Sequence, residues 1–260
     1  MQGLKYSEVH REGHLLIVTI NRPEVFNALH PPANEELQEV FDRYAADPNL
    51  WVAIITGKGD RAFCTGNDLK YQAAGNKVYL PRAGMGGLTS RTDLDKPVVA
   101  AVNGFAMGGG FEIALACDLI IAAESARFAL PEPRVGLAAL AGGLVRLPQQ
   151  IPMKQAMGMI LTGRQVTAVE GRQMGFVNEV VPQAELMAAA RQWVDQILEC
   201  SPLSIRASKA MVHRHARLEL VDREIAKEAV DEVRRLYTSE DFVEGPKAFA
   251  EKRKPVWRGR

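Results

Sequence analysis

The sequence is short of cysteine, of long apolar runs and of any excess of one charge sign, and each shortage removes a class of function. Cys64, Cys117 and Cys200 are the only cysteines in 260 residues. So few, so widely spaced, cannot form a disulfide framework, and they read as buried free thiols in a reducing compartment. No apolar stretch reaches the ~18 residues that a membrane span needs. Residues 1–14 lack the basic start and apolar run of a signal peptide. A cytoplasmic protein with no membrane partner is therefore expected. The chain carries 32 basic and 31 acidic residues, a formal net charge of +1. That balance creates no field favouring nucleic acid. The five histidines show no metal-ligand spacing. His213 and His215 lie two apart and would point to different faces of a helix, so no metal is expected. Aromatic residues are 7% of the chain, while the 47% hydrophobic and 24% charged fractions are those of an ordinary globular protein.

Patterning supplies the coarse architecture. Lys5 to Val9 and His14 to Asn21 alternate like strands about a turn at Glu12-Gly13. Asn34 is placed to cap a helix that runs to about Ala46, with Leu37, Val40, Phe41 and Tyr44 on one face. Trp51 to Thr56, Val98 to Asn103 and Leu119 to Ala122 are short apolar runs that read as buried parallel strands. Strands alternating with helices to about residue 150 imply right-handed β-α-β crossovers. Beyond that point Ala184 to Cys200, Leu203 to Arg217 and Val221 to Tyr237 have helical periodicity, and Val177 to Val181 is a short strand. Thr167 to Glu170 is a capping-box pattern. Residues 71–95 hold Gly75, Gly84, Gly86 and Gly87 with little periodicity. They read as a binding loop or lid, or as a mobile surface loop.

Three segments bear on chemistry. In Val102 to Glu112 a buried strand is followed by Gly108, Gly109 and Gly110 and then a helical run. Strand, glycine turn and helix expose backbone N–H groups at a positive helix end, where they can hold a phosphate or a developing oxyanion. No Lys follows the glycines, so this is not the nucleotide phosphate loop. Phe63 to Asp68 contains Gly66, which permits an unusual turn, and Asn67-Asp68, which favour one. In Phe128 to Pro133, prolines on both sides stiffen the backbone around Glu132. Taken singly, each has a plainer reading: close helix–strand packing, a β-α loop and a surface glutamate.

Together, in this order and spacing, the three segments resemble the crotonase (enoyl-CoA hydratase/isomerase) superfamily. Asn21-Arg22-Pro23 with Asn27-Ala28-Leu29 resembles its opening motif, and Phe249 to Arg253 its closing helix. The resemblance spans essentially the whole chain. It implies an α/β fold with a β-β-α superhelical core over residues 1–195. A helical carboxy-terminal region over residues 196–260 would serve trimerisation and cover the coenzyme. It implies Glu112 and Glu132 as the two acids of hydratases, twenty residues apart as in the hydratase pattern. The backbone amides of Asn67 and Gly109 would form an oxyanion hole. Glu24, Val25, Phe26, Thr65, Gly66, Asp68, Leu69, Leu140, Phe249 and Lys252 match positions near the CoA thioester, the last two often reaching a neighbouring subunit. Arg22, Lys70 and Lys252 are candidate partners for the coenzyme's phosphates. No separate cofactor is implied, since coenzyme A is part of the substrate. A homotrimer or dimer of trimers is implied as the assembly.

The activity so implied is reversible hydration of a 2-enoyl-CoA. The tail Glu244 to Arg260 and the Phe111 to Ala116 run resemble the subgroup that acts on crotonobetainyl-CoA. Double-bond isomerisation on the same fold, or a non-catalytic, RNA-binding use of it, are the alternatives. The intact pair of acids and the balanced charge weigh against both. One departure stands out: Ala139-Leu140-Ala141-Gly142-Gly143 places Leu140 where hydratases carry a glycine near the catalytic water. A leucine there would narrow the acyl pocket or shift that water.

Overall fold

The computed structural model of the chain describes residues 3–221, 238 and 240–256. Two antiparallel strands, β1 (Ser7–Glu12) and β2 (Leu15–Ile20), open the fold. Parallel strands β3 (Val52–Gly57), β5 (Val98–Val102), β7 (Leu119–Ala123) and β10 (Glu179–Val181) extend them into a six-stranded sheet of order β1-β2-β3-β5-β7-β10. A second sheet runs β4-β6-β8-β9, from β4 (Ala62–Cys64), β6 (Phe105–Met107), β8 (Arg127–Ala129) and β9 (Val166–Thr167). Its strands of two or three residues are too short to show a period of two, which is why the sequence does not reveal them.

Alternation divides the large sheet between two cores. Leu16, Val18, Ile20, Ala53, Ile55, Ala100 and Val102 point to one face, where α1 (Pro31–Ala46) and α3 (Gly109–Ala116) pack. Leu15, Ile17, Val52, Ile54, Val99 and Ile121 point to the other. There α7 (Leu186–Leu198) covers them with Leu186, Ala189, Ala190 and Val194. Strands buried on both faces need no polar residues, which accounts for the continuous apolar runs. Around the rim lie α2 (Leu69–Ala73), α4 (Gly143–Gln150), α5 (Met153–Thr162), α6 (Ala168–Met174) and α8 (Pro202–Val221). A closing helix, α9 (Glu240–Ala250), completes them. Thr167 caps α6 through the expected capping box. Helix α7 runs across residue 195, and Gly245, Pro246 and Ala248 of α9 are buried. The helix expected over Val221 to Tyr237 lies outside the described residues.

Two expectations are corrected. Helix α1 starts at Pro31, and His30 caps it by accepting from the Ala33 amide at 3.2 Å. Prolines fit the first turn, where their missing N–H has no partner to lose. Asn34 lies inside the helix, buried, and its Oδ1 accepts from the Gly86 amide at 2.8 Å. Cys200 is exposed, whereas Cys64 and Cys117 are buried as expected. The irregular segment 71–95 is neither wholly mobile nor wholly free. Its residues 83–89 are buried, and Ala83 donates to Gln38 Oε1 of α1 at 2.7 Å.

Two buried asparagines hold the connection between the sheets, and Asn27 donates to the Lys58 and Ala62 carbonyls at 3.1 and 2.7 Å. Asn103, just past β5, accepts from the Gly57 amide at 3.1 Å and donates to the carbonyls of Gly57 and Gly59 at 2.8 and 2.7 Å. This clamps the turn that carries the chain from β3 into β4. Replacing Asn103 strands the buried amide and carbonyl of Gly57. Asn103→Ala is therefore expected to cost about 2–3 kcal/mol, read as a lowered midpoint of urea unfolding.

Candidate active site

The site begins where two glycine turns touch. Past β4, the Leu29 amide donates to the Gly66 carbonyl at 2.7 Å and the Asp68 amide donates to the Leu29 carbonyl at 3.0 Å. A parallel bridge of this kind leaves the amide between them, that of Asn67, pointing away. Gly66 has φ +82°, and a Cβ there would lie 2.7 Å from the Gly109 nitrogen. The first turn therefore lies directly on the start of α3, where backbone N–H groups have no intrahelical acceptor. Among the described residues, neither the Asn67 nor the Gly109 amide has an acceptor. Both residues border one cavity of about 560 Å³.

Two carboxylates border the same cavity. Glu112 sits in the first turn of α3, 3% exposed, and its Oε1 accepts from the Gly143 amide at 2.8 Å. Glu132 opens the short 3₁₀ turn Glu132–Val135. It is 9% exposed, and its Oε2 has no hydrogen-bond partner among the described residues. Gly108 makes room for it, since a Cβ there would lie 2.7 Å from Glu132 Oε1. Burial pushes the Glu112 carboxyl up to about 7, against the opposing pull of the Gly143 and Ala141 amides and of Arg146. Burial and then the charge of Glu112 push Glu132 up to about 8. Like charges in one dry space titrate as a pair, so near neutrality the two hold about one proton between them.

The structure thus brings together Glu112, Glu132, Asn67, Gly109, Thr65, Leu69 and Leu140 on one cavity wall. Gly66 shapes the wall from behind. Asp68 caps α2 through the Tyr71 amide and pairs with Arg22 at 3.0 Å. Arg22 is thereby corrected from a candidate phosphate partner to an internal brace, because Asp68 and the Ala28 carbonyl hold its guanidinium. Glu24, Val25 and Phe26 are not among the residues bordering the cavity. They reach its edge through Thr65, whose hydroxyl donates to the Phe26 carbonyl at 3.2 Å. Lys70, Phe249 and Lys252 are exposed and do not border the cavity of this chain.

Sequence reasoning missed Met85, Tyr79 and Phe242 on the cavity wall and Gly143 behind Glu112. The Met85 methyl lies 2.8 Å from where a Gly109 Cβ would be. No period marks Met85 or Tyr79. The Gly142-Gly143 pair opening a helical run was a readable signal, of the same kind as the glycines before Glu112.

Comparison with known proteins identifies the family. The family model described as enoyl-CoA hydratase/isomerase matches residues 10–260. Carnitinyl-CoA dehydratase of Proteus mirabilis is 43% identical over 252 residues, covering 95% of this chain and 96% of the relative. The protein of that name from Citrobacter koseri is 44% identical over 254 residues, covering 96% and 97%. A solved carnitinyl-CoA hydratase from Mycobacterium avium superposes with a TM-score of 0.90 at 39% identity, covering 99% and 100%. An enoyl-CoA hydratase from Mycobacterium tuberculosis H37Rv superposes at 0.77 and 38%, covering 98% and 99%. With its two glycine turns, its paired buried acids and these relatives over its whole length, the chain belongs to the enoyl-CoA hydratase/isomerase (crotonase) family.

Proposed function

We propose that the chain is an enoyl-CoA hydratase that adds water reversibly across the C=C bond of a 2-enoyl-CoA thioester. The observation that carries this reading is the pair of buried carboxylates beside two amides without acceptors, on one cavity. Attack of water on the β-carbon sends charge to the thioester oxygen. The Asn67 and Gly109 amides accept that charge as hydrogen-bond donors, each worth ~3 kcal/mol of barrier, and the positive end of α3 adds to them. Glu112, ionised, holds the water and takes its proton as the O–Cβ bond forms. Glu132, protonated, gives its proton to the α-carbon. Transfer of a proton from Glu112 back to Glu132 resets the pair, and dehydration runs the same steps in reverse.

The acyl groups in this reading include crotonobetainyl-CoA, supported by the names of the relatives and by the tail Glu244 to Arg260. The coenzyme would leave by the Thr65–Phe26 edge. Phe249, 52% exposed here, and Lys252 would complete the coenzyme site across a subunit boundary in a homotrimer or dimer of trimers. No described helix is long and apolar enough to cross a membrane, which accords with the proposed cytoplasmic setting.

Glu112→Gln and Glu132→Gln should each lower kcat by about 10²–10⁴-fold while CoA-thioester binding stays close to wild type. Stability provides a control. Both carboxyls titrate above their ordinary value of 4.5, so ionising them costs stability as pH rises through their folded values. E132Q, which cannot ionise, should melt no lower than wild type at pH ~8. Near-normal turnover in either variant removes its assigned role.

The pH profile of kcat/KM, which reports the free enzyme, should be a bell. Its acid limb lies near 7, where Glu112 takes up a proton, and its alkaline limb near 8, where Glu132 loses one. A profile flat through both limbs contradicts the division of labour.

A turnover panel of crotonyl-CoA, longer enoyl-CoAs, an aromatic enoyl-CoA and crotonobetainyl-CoA tests the reaction itself. Conversion of 3-enoyl-CoA with no hydration product would replace the reading with isomerisation. In the same panel Leu140→Gly should raise kcat/KM for the longer thioesters relative to crotonyl-CoA by roughly tenfold.

A further inference from the structure

Arg146 sits behind the acids rather than among the residues bordering their cavity. It lies on the first turn of α4. Its Nη2 donates to the Thr89 carbonyl at 2.8 Å, and its Nη1 lies 3.5 Å from the Ala141 carbonyl. The guanidinium lies against the Gly142 backbone, at φ +108°, where any Cβ would overlap Nη1. Gly142 is thus the residue that makes the arginine fit. The turn so braced, residues 141–143, is the one whose Gly143 amide donates to Glu112 Oε1 at 2.8 Å. On the other side, the braced carbonyl belongs to Thr89. The Thr89 hydroxyl accepts from the Met85 amide at 2.8 Å, and Met85 lies on Gly109.

We propose that Arg146 is a positioning residue for hydration: it fixes the turn that holds Glu112 and sets a positive charge behind that acid. The inference rests on the hydratase reading for its kinetic consequence alone.

The charged surroundings are consistent with that role. Glu112 is faced by Glu132 across the cavity and by Arg146 from behind. Arg146 is faced in turn by Glu112 and by the Cys117 thiol at the end of α3. It also borders a second cavity of about 410 Å³ with Arg91, Asp93, Asp95 and Lys209. These four are engaged elsewhere. Arg91 pairs with Asp42 and Asp93, Asp95 with Arg206, and Lys209 with Asp118. Arg146 has no carboxylate in an ion pair of its own among the described residues, so its charge is left to act on Glu112. A cation close to a carboxylate lowers its protonation point. Removing it lets Glu112 rise toward Glu132.

The experiment compares R146K, R146Q and R146M with wild type. R146Q should move the acid limb of the kcat/KM profile to higher pH, with KM for the thioester unchanged at the optimum. R146K keeps the charge without the two-armed brace. Its limb should return to the wild-type position while kcat at the optimum stays lowered. R146M serves where R146Q does not fold. An acid limb unmoved in the uncharged variant, or moved as far by R146K, overturns the proposal. A ¹³C-carboxyl titration of Glu112 in E132Q and E132Q/R146Q reads the same displacement without turnover. A wild-type chain that hydrates no enoyl-CoA would defeat the proposed function, and this titration would still decide the role of Arg146.

Discussion

The whole site depends on one close approach, the backbone of Gly66 lying on the backbone of Gly109. Two turns from different sheet connections can meet at that distance only without side chains, because a Cβ on Gly66 would sit 2.7 Å from the Gly109 nitrogen. The contact lays the Asn67 amide beside the first amide of α3. It also fixes where α3 begins, and so where Glu112 stands one turn on. Neighbouring features serve the same contact. Gly110 packs on the Cys64 carbonyl, where a Cβ would overlap it. Asn103 clamps the turn that delivers β4.

Around that contact the fold does something unfavourable. It buries two carboxylates on one cavity and leaves Glu132 Oε2 without a partner. A folded chain tolerates this only if its surroundings are rigid, and here they are. Pro131 and Pro133 flank Glu132, amides of the 141–143 turn hold Glu112, and Phe111, Phe128 and Phe176 pack together beneath. The same desolvation that destabilises the ions sets the proton count near neutrality, which is what acid–base chemistry in water requires. The difference between the two acids comes from what stands behind each. Amides and an arginine stand behind Glu112, and a glycine and the other carboxylate beside Glu132.

How far this was readable varied with the kind of residue. The glycine turns were legible because glycines between strand and helix break a local pattern, whereas the acids and Leu140 were legible only through the family resemblance. Arg22 read as a candidate phosphate partner and is a brace, since its partner Asp68 lies 46 positions away. Asn34 read as a cap and is buried against Gly86, 52 positions away. Cys200 read as buried and is exposed, because a helix end shows no burial signal of its own. Met85 and Tyr79 lie in the segment 71–95 that read as a binding loop, but no period singled them out within it.

By itself the sequence determined what short-range chemistry can determine. Alternation and apolar runs dictated the large sheet, capping chemistry dictated α6, and glycine and proline dictated the sharp turns. These follow from sterics and hydrogen bonding within a few residues. The tertiary structure alone decided which turns touch, which cations are already paired, and that two acids twenty residues apart share one dry cavity. Those outcomes depend on distances between segments, which are set when both sheets bury their faces at once.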